Sequence, residues 1–126
     1  MGLDMYAFQV EKGVITESVD FGINEDAKYH DQIYYWRKHP NLHGWMENLY
    51  YEKGGKEETF NCVNLQLTEE DLDRLEADVN NNILPETEGF FFGQSSPEDK
   101  EKDLEFIAEA RRSINEGHDV YYTSWW

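Results

Sequence analysis

The order of apolar and polar residues along the chain predicts a mixed α and β structure. Residues 3–10 mix apolar and polar positions and contain β-forming side chains, which is typical of a strand. Residues 14–19, 60–67 and 120–126 predict three further strands on the same grounds. The three aromatic residues 90–92, set between Gly89 and Gly93, predict a short strand or a tight buried loop.

Helical spacing follows in the segments between these strands. Residues 26–38 and 40–52 predict two helices, or one helix that is broken near its middle. In the second segment the apolar residues fall at i, i+3, i+4 and i+7, namely Leu42, Trp45, Met46 and Leu49. Pro40 suits a first helical position, where its missing N–H needs no partner, and it disfavours helical geometry at His39.

Capping residues predict the ends of two more helices. The hydroxyl of Thr68 can accept a hydrogen bond from the N–H of Asp71, and the acidic residues that follow suit the positive end of a helix. Ser96 and Pro97 predict the start of a last helix, which should run to about Glu116 and bury Leu104, Ile107 and Ala108. Gly117 then ends that helix.

The order of the predicted elements indicates the fold class. Strands and helices alternate without the regular βαβ spacing of a doubly wound sheet. We expect an α+β, two-layer domain in which a mainly antiparallel sheet packs against about three to four helices. A chain of 126 residues fits one such domain, spanning residues 1–126.

The net negative charge limits the kinds of molecule that the protein could bind. The chain has 27 acidic and 11 basic residues and a net charge of −16, which repels nucleic acid and anionic membranes. The acidic surface favours basic partners or imitation of a polyanion, and solubility alone would also explain it. Aromatic residues make up 15% of the chain, which indicates a folded domain and not an acidic tail.

Cellular location is predicted from absent signals. Cys62 is the single cysteine, so the chain can form no internal disulfide. The first residues lack the basic and apolar regions of a secretory signal, and no segment approaches the length of a membrane span. These features predict a cytoplasmic protein that binds neither a membrane nor nucleic acid directly, and they leave its oligomeric state open.

Motifs for common chemistries are missing from the sequence. It contains no phosphate-binding loop and no metalloprotease, serine-hydrolase or calcium-loop motif. His39, His43 and Glu47 are spaced by four and would share a face on one continuous helix, but Pro40 disturbs that arrangement. The alternative is a solvent-exposed His39 with His43 hydrogen-bonded across a loop. We therefore predict no cofactor and no metal.

One segment differs from its acidic surroundings. The aromatic island, Tyr34 to Trp45, interleaves Arg37 and Lys38 with aromatic and histidine side chains. Arginine and aromatic residues are frequent anchors of binding sites. The opposing interpretation makes Trp36 and Trp45 core residues and leaves Arg37 to neutralise neighbouring acids.

Several short blocks resemble a family of small uncharacterised proteins found in bacteriophages and prophage-carrying bacteria. These blocks are the start Met-Gly-Leu-Asp-Met-Tyr, Tyr35-Trp-Arg-Lys38 followed by Leu42-His-Gly-Trp45, Gly89-Phe-Phe-Phe-Gly93, and the end at Ser124-Trp125. The resemblance implies a phage or mobile-element origin, and residues 89–93 belong to the family's pattern together with Trp36, Arg37, Lys38, His43, Trp45 and Trp125. From this pattern and the aromatic island we take as candidate binding residues Trp36, Arg37, Lys38, His43, Trp45, Phe92 and Trp125. It implies no activity, and this chain departs from the family's pattern at Pro40.

Two functions follow as hypotheses. The first is a non-enzymatic protein that binds a host protein, as an inhibitor or a polyanion mimic. The second is a small-molecule or nucleotide-binding protein or an enzyme, with a pocket at Arg37, His43, Trp45 and Phe92. The first predicts no catalytic residue, and the second requires its four side chains to converge.

Overall fold

A four-stranded antiparallel sheet and three helices make up the computed structural model, which describes residues 2–24, 26–87 and 95–126. In chain order the elements are β1 (Asp4–Glu11), β2 (Asp31–Arg37), α1 (Pro40–Glu52), β3 (Leu65–Leu67), α2 (Glu69–Asn80), α3 (Asp99–Asn115) and β4 (His118–Trp125). The predicted α+β, two-layer fold is confirmed. None of these helices is both long enough and apolar enough to cross a bilayer.

The strand order in the sheet is β2-β1-β4-β3, so the two ends of the chain form its two central strands. β1 and β4 pair over eight residues, from Asp4 opposite Trp125 to Glu11 opposite His118. β2 pairs with β1 on the side away from β4, with Met5 opposite Trp36. The predicted strands at both ends of the chain are therefore confirmed, each shifted by one or two residues.

Alternation along β1 and β4 separates two faces of the sheet. The inner face packs with the helices into the main core, to which Met5, Ala7, Val120 and Tyr122 contribute. The outer face carries Val10 and Tyr121, which form a second, smaller core with residues from the 14–27 segment, among them Ile15 and Phe21. That segment covers one end of the outer face.

The predicted helix over residues 26–38 is wrong, because residues 31–37 form β2. The residues Tyr34 and Trp36 face the main core, while Tyr35 between them is exposed, which is the two-residue period of a strand. Backbone hydrogen bonds to β1 provide the partners that a helix would have supplied locally. Lys38 then adopts φ 57° and turns the chain into α1.

The predictions for α1 and α2 are confirmed. Pro40 occupies the first turn of α1, directly after His39. Thr68 caps α2: its Oγ1 accepts from the N–H of Asp71 at 3.3 Å, and the carboxylate of Asp71 accepts from the N–H of Thr68 at 2.9 Å. This reciprocal pair satisfies two backbone donors at the start of the helix.

Two local predictions need correction. α3 begins at Asp99 and not directly after Ser96; residues 97 and 98 form a turn before it, and the Asp99 carboxylate accepts from the Ser96 N–H at 2.8 Å. Within α3, Ala108 is exposed, whereas Phe106, Ile107 and Ala110 are buried. Gly117 ends the helix as predicted, with φ +94°.

Two predicted strands are shorter than expected. Only Leu65–Leu67 of the 60–67 segment joins the sheet, as β3. The 14–19 segment contributes one isolated bridge, between Val19 and Leu65, because its side chains cover the outer face instead. The prediction for residues 90–92 lies outside the described ranges.

Gly44 on α1 packs closely against Thr87. A Cβ atom at Gly44 would lie 1.9 Å from Oγ1 of Thr87, whose N–H donates to Oδ1 of Asn41. We therefore expect Gly44→Ala to lower the free energy of unfolding by about 1–3 kcal/mol, although alanine is the better helix former. Chemical denaturation measures this change.

The matched control for this contact is the double variant Gly44→Ala/Thr87→Ala. Removal of Oγ1 takes away the closest clash, so the double variant should recover part of the lost stability. A single Gly44→Ala variant as stable as the parent protein would contradict the close packing of these two residues.

Candidate functional site

Two of the predicted binding residues are core residues. Trp36 is buried and packs edge-on against Phe106, with ring centroids 4.7 Å apart. Trp45 is also buried, and its Nε1–H donates to Oδ2 of Asp78 on α2 at 2.8 Å. The structure therefore gives both indoles a packing role, as the opposing interpretation of the aromatic island proposed.

His43 lies in the same core and not at the surface. Its Nδ1 is 2.7 Å from the hydroxyl of Tyr122, and its ring lies 4.9 Å from that of Phe60. Burial lowers the pKa of His43 to about 4, against a smaller opposite effect from the Phe60 backbone. The imidazole is therefore neutral at physiological pH.

His39 is buried, with 2% of its surface exposed, so the expectation of a solvent-exposed His39 is wrong. Its ring nitrogens face Ser95 and Asp103, whereas His43 faces Tyr122. The two histidines thus have different partners. Within the described ranges, no three His, Cys, Asp or Glu side chains come together as metal ligands.

Arg37 and Lys38 are exposed at the end of β2. The Nε of Arg37 lies 3.9 Å from Oδ1 of Asp4, on the outer face of the sheet. His43 belongs to the core beneath the opposite face, so the structure does not bring Arg37 and His43 into one pocket. Phe92, the fourth residue of that hypothetical pocket, lies outside the described residues.

Trp125 belongs to a different surface, which we call the outer aromatic patch. It comprises the outward-facing residues at the uncovered end of the sheet: Tyr6, Phe8, Tyr35, Thr123 and Trp125. Trp125 is 70% exposed and Tyr35 is 44% exposed. The register aligns the patch across three strands, since Tyr6 lies opposite both Tyr35 and Thr123.

Contacts within the outer aromatic patch hold its rings in place. The rings of Tyr6 and Tyr35 lie 5.4 Å apart, and the hydroxyl of Tyr35 donates to Oδ1 of Asp4 at 2.5 Å. That hydrogen bond is the largest cause of the raised pKa of Tyr35. Asp4 thereby contacts both Tyr35 and Arg37. The opposite charges of Asp4 and Arg37 offset each other beside the patch.

A groove of about 310 Å³ runs along the patch. Tyr6, Phe8 and Trp125 contribute aromatic rings to its lining, which Thr123, Ser124 and the exposed Cys62 complete. Such a groove, with rigid aromatic walls, can take up an apolar side chain from a partner.

Of the binding residues predicted from the sequence, Trp125 belongs to this patch and Arg37 lies beside it, whereas Tyr6, Phe8 and Tyr35 were not among the predicted residues. A signal for the first two was present, because they alternate with Met5 and Ala7 within a predicted strand. Tyr35 was hidden by the incorrect helix over residues 26–38. The sequence also did not show that only one end of the outer face is covered.

Comparison of the chain with protein-family models, curated proteins and solved structures yields no significant match. The inference of function therefore depends on the geometry of the molecule itself.

The depressed pKa of His43 predicts sensitivity to acid. Because the unfolded state takes up a proton below about pH 6.5 and the folded state does so only near pH 4, this contribution to stability decreases as the pH falls between these values. Between about pH 7 and about pH 4.5 we expect the protein to lose about 2 kcal/mol through this group alone. Urea unfolding at a series of pH values measures the loss.

His43→Gln is the matched control, because it removes the titrating ring and keeps a polar side chain. Its stability should depend less on pH, so the difference between parent and variant should shrink on acidification. Parallel curves for the two proteins would show that His43 does not titrate in this way.

Proposed function

We propose that this is a binding protein that engages a basic partner protein through the outer aromatic patch, without any reaction at that patch. The observation that supports this most directly is Trp125, a large aromatic side chain that is 70% exposed on a flat sheet surface beside a groove. Tryptophan is strongly enriched among residues whose loss abolishes binding. Its position next to other aromatic residues makes a continuous apolar surface that a partner can cover.

The rigidity of the patch favours binding. Its residues belong to three paired strands, and Tyr35 is held by Asp4. A surface that is already ordered loses less conformational entropy when a partner binds. The binding role needs no chemical step at the patch.

The charge of the molecule favours a protein partner over nucleic acid. Aromatic residues on a sheet can also stack on the bases of single strands. A net charge of −16, however, opposes the approach of phosphates, and Arg37 beside the patch is already paired with Asp4. The same field accelerates association with a basic protein.

The resemblance to phage and prophage proteins suggests where such a partner would be found. A phage-encoded protein of this kind would act in the cytoplasm of the host cell, and its partner would be a host protein. Inhibition of that partner is the simplest outcome, because occupation of its basic surface excludes its ordinary ligands.

The test compares Trp125→Ala with the parent protein in capture from a bacterial lysate, followed by affinity measurement with the purified partner. If the patch is the binding surface, the variant should lose about 2 kcal/mol of binding free energy, or roughly thirtyfold in affinity. Raising the salt concentration should slow association, because the long-range field is screened.

Ile83→Ala is the matched control, since Ile83 is a large apolar residue that is 60% exposed away from the patch. It should bind as the parent does. If Trp125→Ala retains full affinity for every captured protein, or if the parent captures none, the proposed function is wrong.

A further inference from the structure

A second site lies away from the outer aromatic patch, where the starts of α1 and α3 meet. A cleft of about 390 Å³ opens there, lined by Val79 and Leu84 and by polar residues that include His39, Ser95 and Asp103. Within this lining, the imidazole of His39 contacts both the hydroxyl of Ser95 and the buried carboxylate of Asp103. Nothing in the binding function requires this arrangement.

The three polar side chains form a continuous chain of hydrogen bonds. Oγ of Ser95 lies 2.7 Å from Nδ1 of His39, and Nε2 of His39 lies 2.9 Å from Oδ2 of Asp103. Asp103 is 1% exposed and holds the imidazole from behind, while Ser95 is partly accessible in the cleft. A nucleophile, a base within hydrogen-bond distance and a group that orients the base are the components of serine acyl transfer.

The backbone of α1 adds a donor at the reacting oxygen. The N–H of Asn41, in the first turn of that helix, lies 3.1 Å from Oγ of Ser95. This N–H has no acceptor within the helix and donates to Oγ of Ser95, where it favours negative charge that develops on that oxygen. Asp99 lies 3.6 Å from Nδ1 of His39, so a second carboxylate faces the ring beside Ser95.

We propose that Ser95, His39 and Asp103 form a serine acyl-transfer site that hydrolyses small, uncharged esters. The volume of the cleft admits a short acyl group, for which Val79 and Leu84 provide an apolar surface. The acidic charge of the protein disfavours anionic substrates.

The reaction proceeds in two balanced steps. Oγ of Ser95 bonds to the ester carbonyl carbon while its proton passes to Nδ1 of His39; the bond to the leaving alcohol then breaks, and that alcohol takes the proton. Water attacks the resulting acyl-serine and gives a proton to His39, which returns it to Oγ as the carboxylic acid leaves. Asp103 acts as the positioning residue for His39 throughout.

A purely structural role for Ser95 is the competing explanation. His39 is at the cap position of α1, but its side chain makes no capping hydrogen bond. Oγ of Ser95 instead accepts a hydrogen bond from the N–H of Asn41. In that case Ser95 would stabilise the start of α1 and carry out no chemistry. Loss of stability in a Ser95 variant is expected under both explanations, so it cannot separate them.

Covalent labelling separates the two explanations. The full chain is treated with a fluorophosphonate probe and mapped by peptide mass spectrometry, and hydrolysis of p-nitrophenyl acetate is followed in parallel. We expect one adduct, on Ser95, and a hydrolysis rate that Ser95→Ala lowers by about 100-fold or more. Circular dichroism and a melting curve establish that the variant is folded.

Ser18→Ala is the matched control, because Ser18 is an exposed serine that does not line the cleft. It should keep both the adduct and the hydrolysis rate. Trp125→Ala should keep them too, which separates this site from the outer aromatic patch. No adduct on Ser95, or equal hydrolysis by the parent protein and a folded Ser95→Ala variant, would overturn the proposal.

Discussion

The pairing of β1 with β4 is the constraint on which the rest of the structure depends. Eight residue pairs join the first strand of the chain to the last, and their register decides which face of the sheet each side chain occupies. A shift of one residue would move Met5 and Tyr122 out of the main core and place Tyr6 and Trp125 beneath the helices. The core and the outer aromatic patch are thus two consequences of one register.

The two faces of this sheet differ in how much of each is covered by other parts of the chain. Helices cover the inner face completely enough to bury Tyr122 and Trp36. The outer face is covered at one end, where the 14–27 segment packs on Val10 and Tyr121, and is open at the other, where Trp125 lies. A second molecule can cover the aromatic residues at the open end of the outer face. The proposed binding function depends on this difference between the two ends.

The cleft between α1 and α3 is separate from that surface and depends on different contacts. His39 sits where β2 turns into α1, and Asp103 is buried one turn inside α3. A buried carboxylate is costly without a partner, and burial does raise the pKa of Asp103, an effect that His39 partly offsets. His39 and Asp103 therefore stabilise each other in the interior. Ser95 is then the residue of the three that a substrate can reach.

Local signals in the sequence predicted a large part of the fold. The helix starts at Pro40 and Thr68 and the helix end at Gly117 depend on bonds within a few residues, so they are visible without tertiary structure. The fold class followed from the order of such elements. β2 was missed although Ile33, Tyr34 and Tyr35 are β-forming residues. Its hydrogen-bond partners lie in β1, 22 to 33 residues earlier in the chain, and residues 31–37 alone do not show that pairing.

The sequence by itself determined the residue types available for function: an acidic surface, an aromatic island and a terminal pair of tryptophans. Only the tertiary structure decided their roles. Trp36 became a core residue because it faces the helices from β2, and His43 and Trp45 did so because they face inward from α1. Trp125 stayed exposed because it points the other way from a paired strand. His39 met Ser95 and Asp103, 56 and 64 residues further along the chain, because the starts of α1 and α3 converge in space. Contacts over such separations are set by packing, which no short stretch of sequence encodes.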